Sequence, residues 1–314
     1  MNNCLYVVVP CYNEEEVLKE TAKRLKEKLN NLIKDGKIDE KSKITFVNDG
    51  SKDKTWEIIK ELHDEDSIFT GVNLSRNRGH QNALLAGLMT VKDYADMIVS
   101  MDADLQDDIN AVDGMVEKYM QGADIVYGVR NKRDTDTFFK RFTAEGYYKV
   151  MKKMGVDLVF NHADYRLMSR RALKGLEEFK EVNLFLRGIV PQIGYKTDIE
   201  TYERGERFAG ESKYPLKKML SFAWQGITSF SVKPMDVVLG LGAFITGVSL
   251  LGFLGLLIAF LCETTISIAM VILNSVWLSC GLIMFSIGIV GAYIGKIYME
   301  SKERPRYIVE EFLH

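Results

Sequence analysis

Between Pro234 and Ile297 the chain carries only three charged residues, Asp236, Glu263 and Lys296. Two apolar runs fill that stretch, MDVVLGLGAFITGVSLLGFLGLLIAFLC and TISIAMVILNSVWLSCGLIMFSIGIVGAYIG, separated by little more than Glu263-Thr264-Thr265. Each exceeds the roughly 20 residues a helix needs to cross a hydrocarbon core. Recurrent glycines such as Gly247, Gly252, Gly288 and Gly291 suit close helix packing in lipid. A buried helical hairpin of a soluble protein is the competing reading, and it fits poorly with runs so long and so free of charge. The pattern predicts a two-helix transmembrane hairpin over 234–297. Lys213, Lys217, Lys218 and Lys233 precede the first run, Lys296, Lys302, Arg304 and Arg306 end or follow the second, and the turn between them has no basic residue. That asymmetry predicts cytoplasmic termini and an external turn.

The rest of the chain has a different texture. Charge is nearly balanced, at a formal −2 over 314 residues, so there is no polyelectrolyte signal for nucleic acid. The opening MNNCLYVVVP has a short apolar run that leads straight into CYNEEE, which reads as a first strand rather than a leader peptide. Cys4, Cys11, Cys262 and Cys280 show neither paired nor metal-binding spacing and read as small apolar fillers.

Up to about residue 230, strand patterns alternate with helical ones. Leu5–Val9, Ile44–Val47, Phe69–Leu74, Met97–Met101 and Ile125–Val129 read as strands. Asn13, with Glu16 three residues on, has the form of a helix capping box, and Leu18, Leu25, Leu29 and Leu32 supply an apolar helical face. This alternation predicts an α/β fold with a doubly wound, mostly parallel sheet, whose ligands sit beyond the carboxyl ends of the strands. The polar clusters PCYNE, NDGSKD, SRNRGHQ and DADLQDD all fall at such ends, which implies one shared site. Residues 215–232, PLKKMLSFAWQGITSFSV, mix apolar and aromatic side chains with a few lysines just before the first apolar run. They suit a helix lying in a membrane interface, with an ordinary core helix as the alternative.

In DADLQDD, Asp102 and Asp104 flank a single residue, so in an extended or turning chain both carboxylates can face one side. Their repulsion calls for compensation by a metal ion, a solvated turn or a basic partner. Hard ions such as Mg2+ and Mn2+ take one or two protein carboxylates plus substrate phosphates, and Gln106 could add an amide oxygen. A calcium loop is excluded: its sixth and twelfth positions, counted from Asp102, hold Asp107 and Asp113 in place of Gly and Glu. Asp107 and Asp108 are expected to cap or solvate the helix that follows. Neither G-x-x-x-x-G-K-[ST] nor G-x-G-x-x-G occurs, so a bound phosphate would fall to metal and basic side chains.

Taken together, VVVPCYNEEE, FVNDGSKDKT, LSRNRGHQNALLAGL, MDADLQDD, YGVRNKRDTDTFFKR, ADYRLMSRRAL, RGERFAGESKYPLKKML and GKIYMESKERPRY resemble the membrane-anchored polyprenyl-phosphate glycosyltransferases. These are inverting enzymes of the GT-A fold and family 2 type, related to dolichyl-phosphate mannose synthases. The branch resembled most is the bactoprenol glucosyltransferase type, and the likeness covers nearly the whole chain in order. It implies transfer of a monosaccharide, glucose from UDP-glucose in this branch, from a nucleotide diphosphate sugar to polyprenyl (undecaprenyl) phosphate at the cytoplasmic face of the cell membrane. It implies metal and diphosphate binding by Asp102, Asp104 and Gln106, with Mg2+ or Mn2+ as cofactor and Asp104 essential to catalysis. It implies nucleoside binding by Pro10, Tyr12, Glu14 and Asp49, alongside Asp102. Asn48 stands where many relatives have Asp, and Arg78 where Phe is common.

Asp164 matches the family's proposed general base. The acceptor phosphate, with a second pKa of about 6, is already largely a dianion, so Asp164 could equally position sugar hydroxyls or brace an arginine. The acceptor phosphate must sit beside the donor's diphosphate. The resemblance places Arg130, Lys140 and Arg141 to cancel that repulsion, and Arg207 is a further candidate. His80 reads as a hydrogen-bonding loop residue. The chain thus divides into a catalytic domain (1–214), an interfacial helix (215–233), a transmembrane hairpin (234–297) and a cytoplasmic tail (298–314). A homo-oligomer is expected, a tetramer by family resemblance. Two alternatives stand beside this reading. One is the same chemistry with another sugar, such as mannose from GDP-mannose; the other is a non-enzymatic membrane module that binds nucleotide sugars.

Overall fold

The computed structural model describes residues 3–130, 162–182, 184–203 and 268–314. Its strands are β1 (Leu5–Cys11), β2 (Lys43–Asn48), β3 (Phe69–Leu74), β4 (Met97–Ser100), β5 (Ile125–Arg130), β6 (His162–Ser169), β7 (Thr197–Tyr202) and β8 (Val309–Leu313). Its helices are α1 (Leu18–Lys34), α2 (Thr55–Glu65), α3 (His80–Val91), α4 (Ala111–Met120), α5 (Arg170–Glu177), α6 (Leu186–Gln192) and α7 (Ile268–Ser301). The strands form one sheet in the order β7-β5-β6-β4-β1-β2-β3-β8. β4, β1, β2 and β3 are mutually parallel, β6 runs antiparallel between β4 and β5, and β8 closes the far edge antiparallel to β3.

β1 is buried along its whole length, because helices cover both faces of the sheet. Leu18, Ala22, Leu25, Leu29 and Leu32 form the buried stripe of α1 and pack with Val112, Met115 and Val116 of α4 into one core layer. The opposite layer is built on α3, whose Ala83, Leu84, Leu85, Ala86, Leu88 and Val91 are all buried against the sheet. Gly87 permits this approach: a Cβ there would stand 2.5 Å from Val47 Cγ2 and 2.6 Å from Val8 Cγ1. The connections after β1 and β2 run on the first face and that after β3 on the second, so the winding reverses between β1 and β4. In doubly wound sheets such a switch point opens the ligand crevice.

Three expectations change. Asn13 does not cap α1, which starts at Leu18 with no side-chain cap. Instead Asn13 adopts φ 55 and its Oδ1 accepts from Lys52 N at 2.9 Å, because a side chain that links two loops is not available to a helix end. The segment expected as a tail, 298–314, returns to the sheet and supplies β8. Asp107 is buried rather than solvated at a helix end.

The second apolar run forms α7, 34 residues with no charged residue from Ile268 to Gly295 and about 51 Å long at 1.5 Å per residue. Many of its side chains and the whole first run lie outside the described residues, as does the expected interfacial helix at 215–233. Among the described residues no helix is long and apolar enough to cross a membrane. At its far end α7 is tied to the domain: Val182 N donates to Glu300 Oε2 at 2.7 Å, and Arg306 donates to Phe179 O at 3.0 Å.

Candidate active site

β4 ends at Ser100, and Met101 N still donates to Val8 O at 3.2 Å, so Asp102 emerges at the switch point beside the end of β1. Its Oδ1 lies 2.8 Å from His80 Nε2, at the first residue of α3. Burial alone would raise the Asp102 pKa, but the hydrogen bond and charge of His80 outweigh it and keep the carboxyl ionised. On the His80 side burial opposes charge, and Asp102 with Asp164 behind it overrides this and pushes the imidazole up to about 9. The imidazole is 42% exposed, so solvent screens the pair. Two residues on, Asp104 Oδ1 accepts from Gln106 N at 3.1 Å across Leu105, which is held at φ 57. Asp104 therefore sits in a tight turn that begins directly after Asp102.

Asp164 faces this turn from β6. Arg166 donates to its Oδ1 at 2.6 Å, and Arg187 of α6 donates to Oδ1 at 3.4 Å and Oδ2 at 3.2 Å. The carboxylate is 11% and the Arg166 side chain 2% exposed. Burial pushes the Asp164 pKa up, and Arg187, Arg166 and His80 more than offset this and hold it far below the usual carboxylate range. A general base works best with a pKa near the operating pH. The geometry therefore favours the arginine-bracing reading of Asp164 over proton abstraction.

The loops after β1 and β2 interlock. Pro10 is buried at the end of β1 and Tyr12 stands 40% exposed beyond it. Glu14 N donates to Thr55 Oγ1 at 2.9 Å, which fixes the start of the 14–17 turn. Asp49 is only 2% exposed; its two oxygens accept from Arg78 N at 2.7 Å and Gly79 N at 2.9 Å. It orders the loop before α3, so any influence on a nucleoside passes through that loop. Gly50, at φ 62, is required here: a Cβ would stand 2.4 Å from Asn77 N.

Arg130, expected near an acceptor phosphate, is committed to Asp107. Its Nη2 donates to Asp107 Oδ1 at 3.3 Å and its Nε to Tyr202 Oη at 3.2 Å, while Tyr202 Oη also donates to Asp107. This corrects the reading of Asp107 as a solvated cap: it is 3% exposed, and a charge so placed needs a cationic partner. Asp108 Oδ1 accepts from Asn110 N at 2.9 Å in the turn just ahead of α4, whose N-cap Asn110 makes no side-chain cap bond. Lys140, Arg141 and Arg207 lie outside the described residues. Arg166 and Arg187 carried no expectation from the sequence. An arginine inside a strand of apolar neighbours is the signal that could have exposed Arg166; Arg187, on a seven-residue helix, gave none.

Comparison with known proteins places the chain among sugar transferases. The glycosyl transferase family 2 model matches residues 6–176, and the chain belongs to that family. It is 50% identical over 306 residues to the uncharacterized glycosyltransferase YkoT of Bacillus subtilis, covering 98% of this chain and 91% of the relative. It is 37% identical over 308 residues to the bactoprenol glucosyl transferase of Shigella phage SfV, covering 97% of each. Among solved structures, mannosyl-3-phosphoglycerate synthase from Rubrobacter xylanophilus matches with a TM-score of 0.47, 14% identity and 71% coverage of each chain.

Proposed function

We propose that the chain transfers a hexose, glucose from UDP-glucose, to undecaprenyl phosphate at the cytoplasmic face of the cell membrane, with inversion at the sugar carbon. The observation that carries this is the grouping of His80, Asp102, Asp164 and Arg187 at the switch point, in a chain 37% identical over 97% of its length to a bactoprenol glucosyl transferase. Asp102 and Asp104 would hold Mg2+ or Mn2+. Among the described residues no group of three or more His, Cys, Asp and Glu could hold a metal. Two carboxylates separated by one residue at the end of β4 fit the ions that take one or two protein carboxylates and complete their shell with substrate phosphates. When bound, such an ion offsets the charge that grows on the departing nucleoside diphosphate.

The chain's own residues supply the rest. Tyr12 and the Glu14 turn border the nucleoside, and Asp49 holds the loop that closes over it. Asp164 braces Arg187, whose positive charge near Asp102 would attract the incoming phosphate or the departing diphosphate. The acceptor arrives ionised, so alignment rather than deprotonation is what the site must provide. Membrane attachment is part of the proposal: Ile272, Val276, Ile283, Ile287, Val290 and Ile294 of α7 are all exposed, an apolar surface suited to lipid or to a second copy of this chain.

The test offers the purified full chain labelled UDP-glucose or GDP-mannose with undecaprenyl phosphate, with and without EDTA. UDP-glucose should give a lipid-extractable, mild-acid-labile product that EDTA abolishes. No lipid product from either donor, or indifference to EDTA, refutes the proposal.

A further inference from the structure

β8 does more than close a sheet edge. Its register against β3 shifts between Asn73, opposite Glu311, and Leu74, opposite Val309, so Glu310 is the extra residue of a bulge. Bulges re-aim side chains, and here Glu310 Oε2 accepts from Asn73 Nδ2 at 3.0 Å. Asn73 Oδ1 in turn accepts from Asn48 Nδ2 at 2.7 Å, and Asn48 Oδ1 accepts from Ser51 N at 3.2 Å. Beyond that, Ser51 Oγ accepts from Asn13 N at 3.0 Å. A continuous relay thus runs from the C-terminal strand to the turns after β2 and β1.

The relay has a direction. A carboxylate can only accept and a backbone N–H can only donate. With Glu310 at one end and Ser51 N at the other, each asparagine amide between them has one workable orientation. We propose that Glu310 is a positioning residue that fixes the 48–51 turn by setting the orientation of Asn73 and, through it, Asn48. This deepens the proposed function and rests on it only for the claim that the turn borders the donor's nucleoside.

Polarity makes the idea testable by a double-mutant cycle. Asn48→Asp removes the N–H that Asn73 Oδ1 receives. Asn73 must then turn over, which brings its oxygen against the Glu310 carboxylate. Glu310→Gln relieves that clash, because its amide can donate, and by itself it is tolerated, because the amide can also accept. In the full chain, hydrogen exchange over residues 49–53 should quicken about tenfold in N48D, the scale of one lost part-buried hydrogen bond. It should change less than about threefold in E310Q and return to near wild type in N48D/E310Q. The affinity for UDP or GDP should follow the same order. Additive effects in the double variant overturn the relay, whereas coupled exchange with nucleotide affinity indifferent to it overturns the claim that the turn borders the nucleoside. Coupled exchange in a wild type that binds neither UDP nor GDP upholds the relay and refutes the donor-site reading alone. A role limited to edge pairing predicts no rescue of N48D by E310Q.

Discussion

Asp104 and Asp164 are both acidic residues of the site, yet their surroundings assign them different work. Asp104 is half-buried in a turn of its own making, so Asp104→Ala should leave the fold intact and cut transfer by about 10²-fold or more, the scale of losing one charge-stabilising group; melting temperature and turnover measured together check this. Asp164 anchors the buried Arg166. Asp164→Asn leaves that guanidinium without its counter-charge and should cost about 3–5 kcal/mol of unfolding free energy, read from denaturant melts. Because its folded pKa is depressed, the stability Asp164 contributes is present above its unfolded pKa and is lost only as pH falls through the folded value. Neither stability nor turnover should therefore decline on its account between pH 8 and pH 5. A turnover limb in that window that disappears in D164N would restore the general-base role.

At the scale of elements, strands β1 to β5 were legible because each is a short apolar run bounded by polar turns, and the polar strand ends were legible as one site because doubly wound sheets gather them. β8 was not, since VEEFL carries two acids and follows a segment that reads as a tail. Its place depends on the edge that β3 exposes. Truncation after Ser301 should strip that edge and remove the Ser75 N to Ile308 O bond of 3.1 Å. The expected outcome is a lower melting temperature and a shift to aggregates by size exclusion, as unpaired edges template association. An unchanged melting temperature would make β8 dispensable.

For the whole molecule, the proposed membrane attachment would rest on the charge-free length of α7 and its exposed isoleucines and valines, that is, on apolar burial rather than surface charge. The full chain should resist extraction by 1 M salt and by alkaline carbonate and be released by detergent, because screening at high salt weakens only electrostatic attachment. Release by salt alone would count against a span.

By itself the sequence determined what depends on neighbours along the chain: the alternating layers, the carboxylate turn at the end of β4, the long apolar runs and the family to which the chain belongs. Only the tertiary structure decided which charges meet. Arg130 was expected at a phosphate and is held by Asp107, Asp164 is braced by Arg187, and Asn13 spans two loops instead of capping a helix. Those partners lie on different strands, helices or loops, and a side chain's partner is set by strand order and register, which no local pattern encodes. The same physics ties Glu310, near the end of the chain, to the turn at Asn48, a link that exists only because the last strand returns to the sheet.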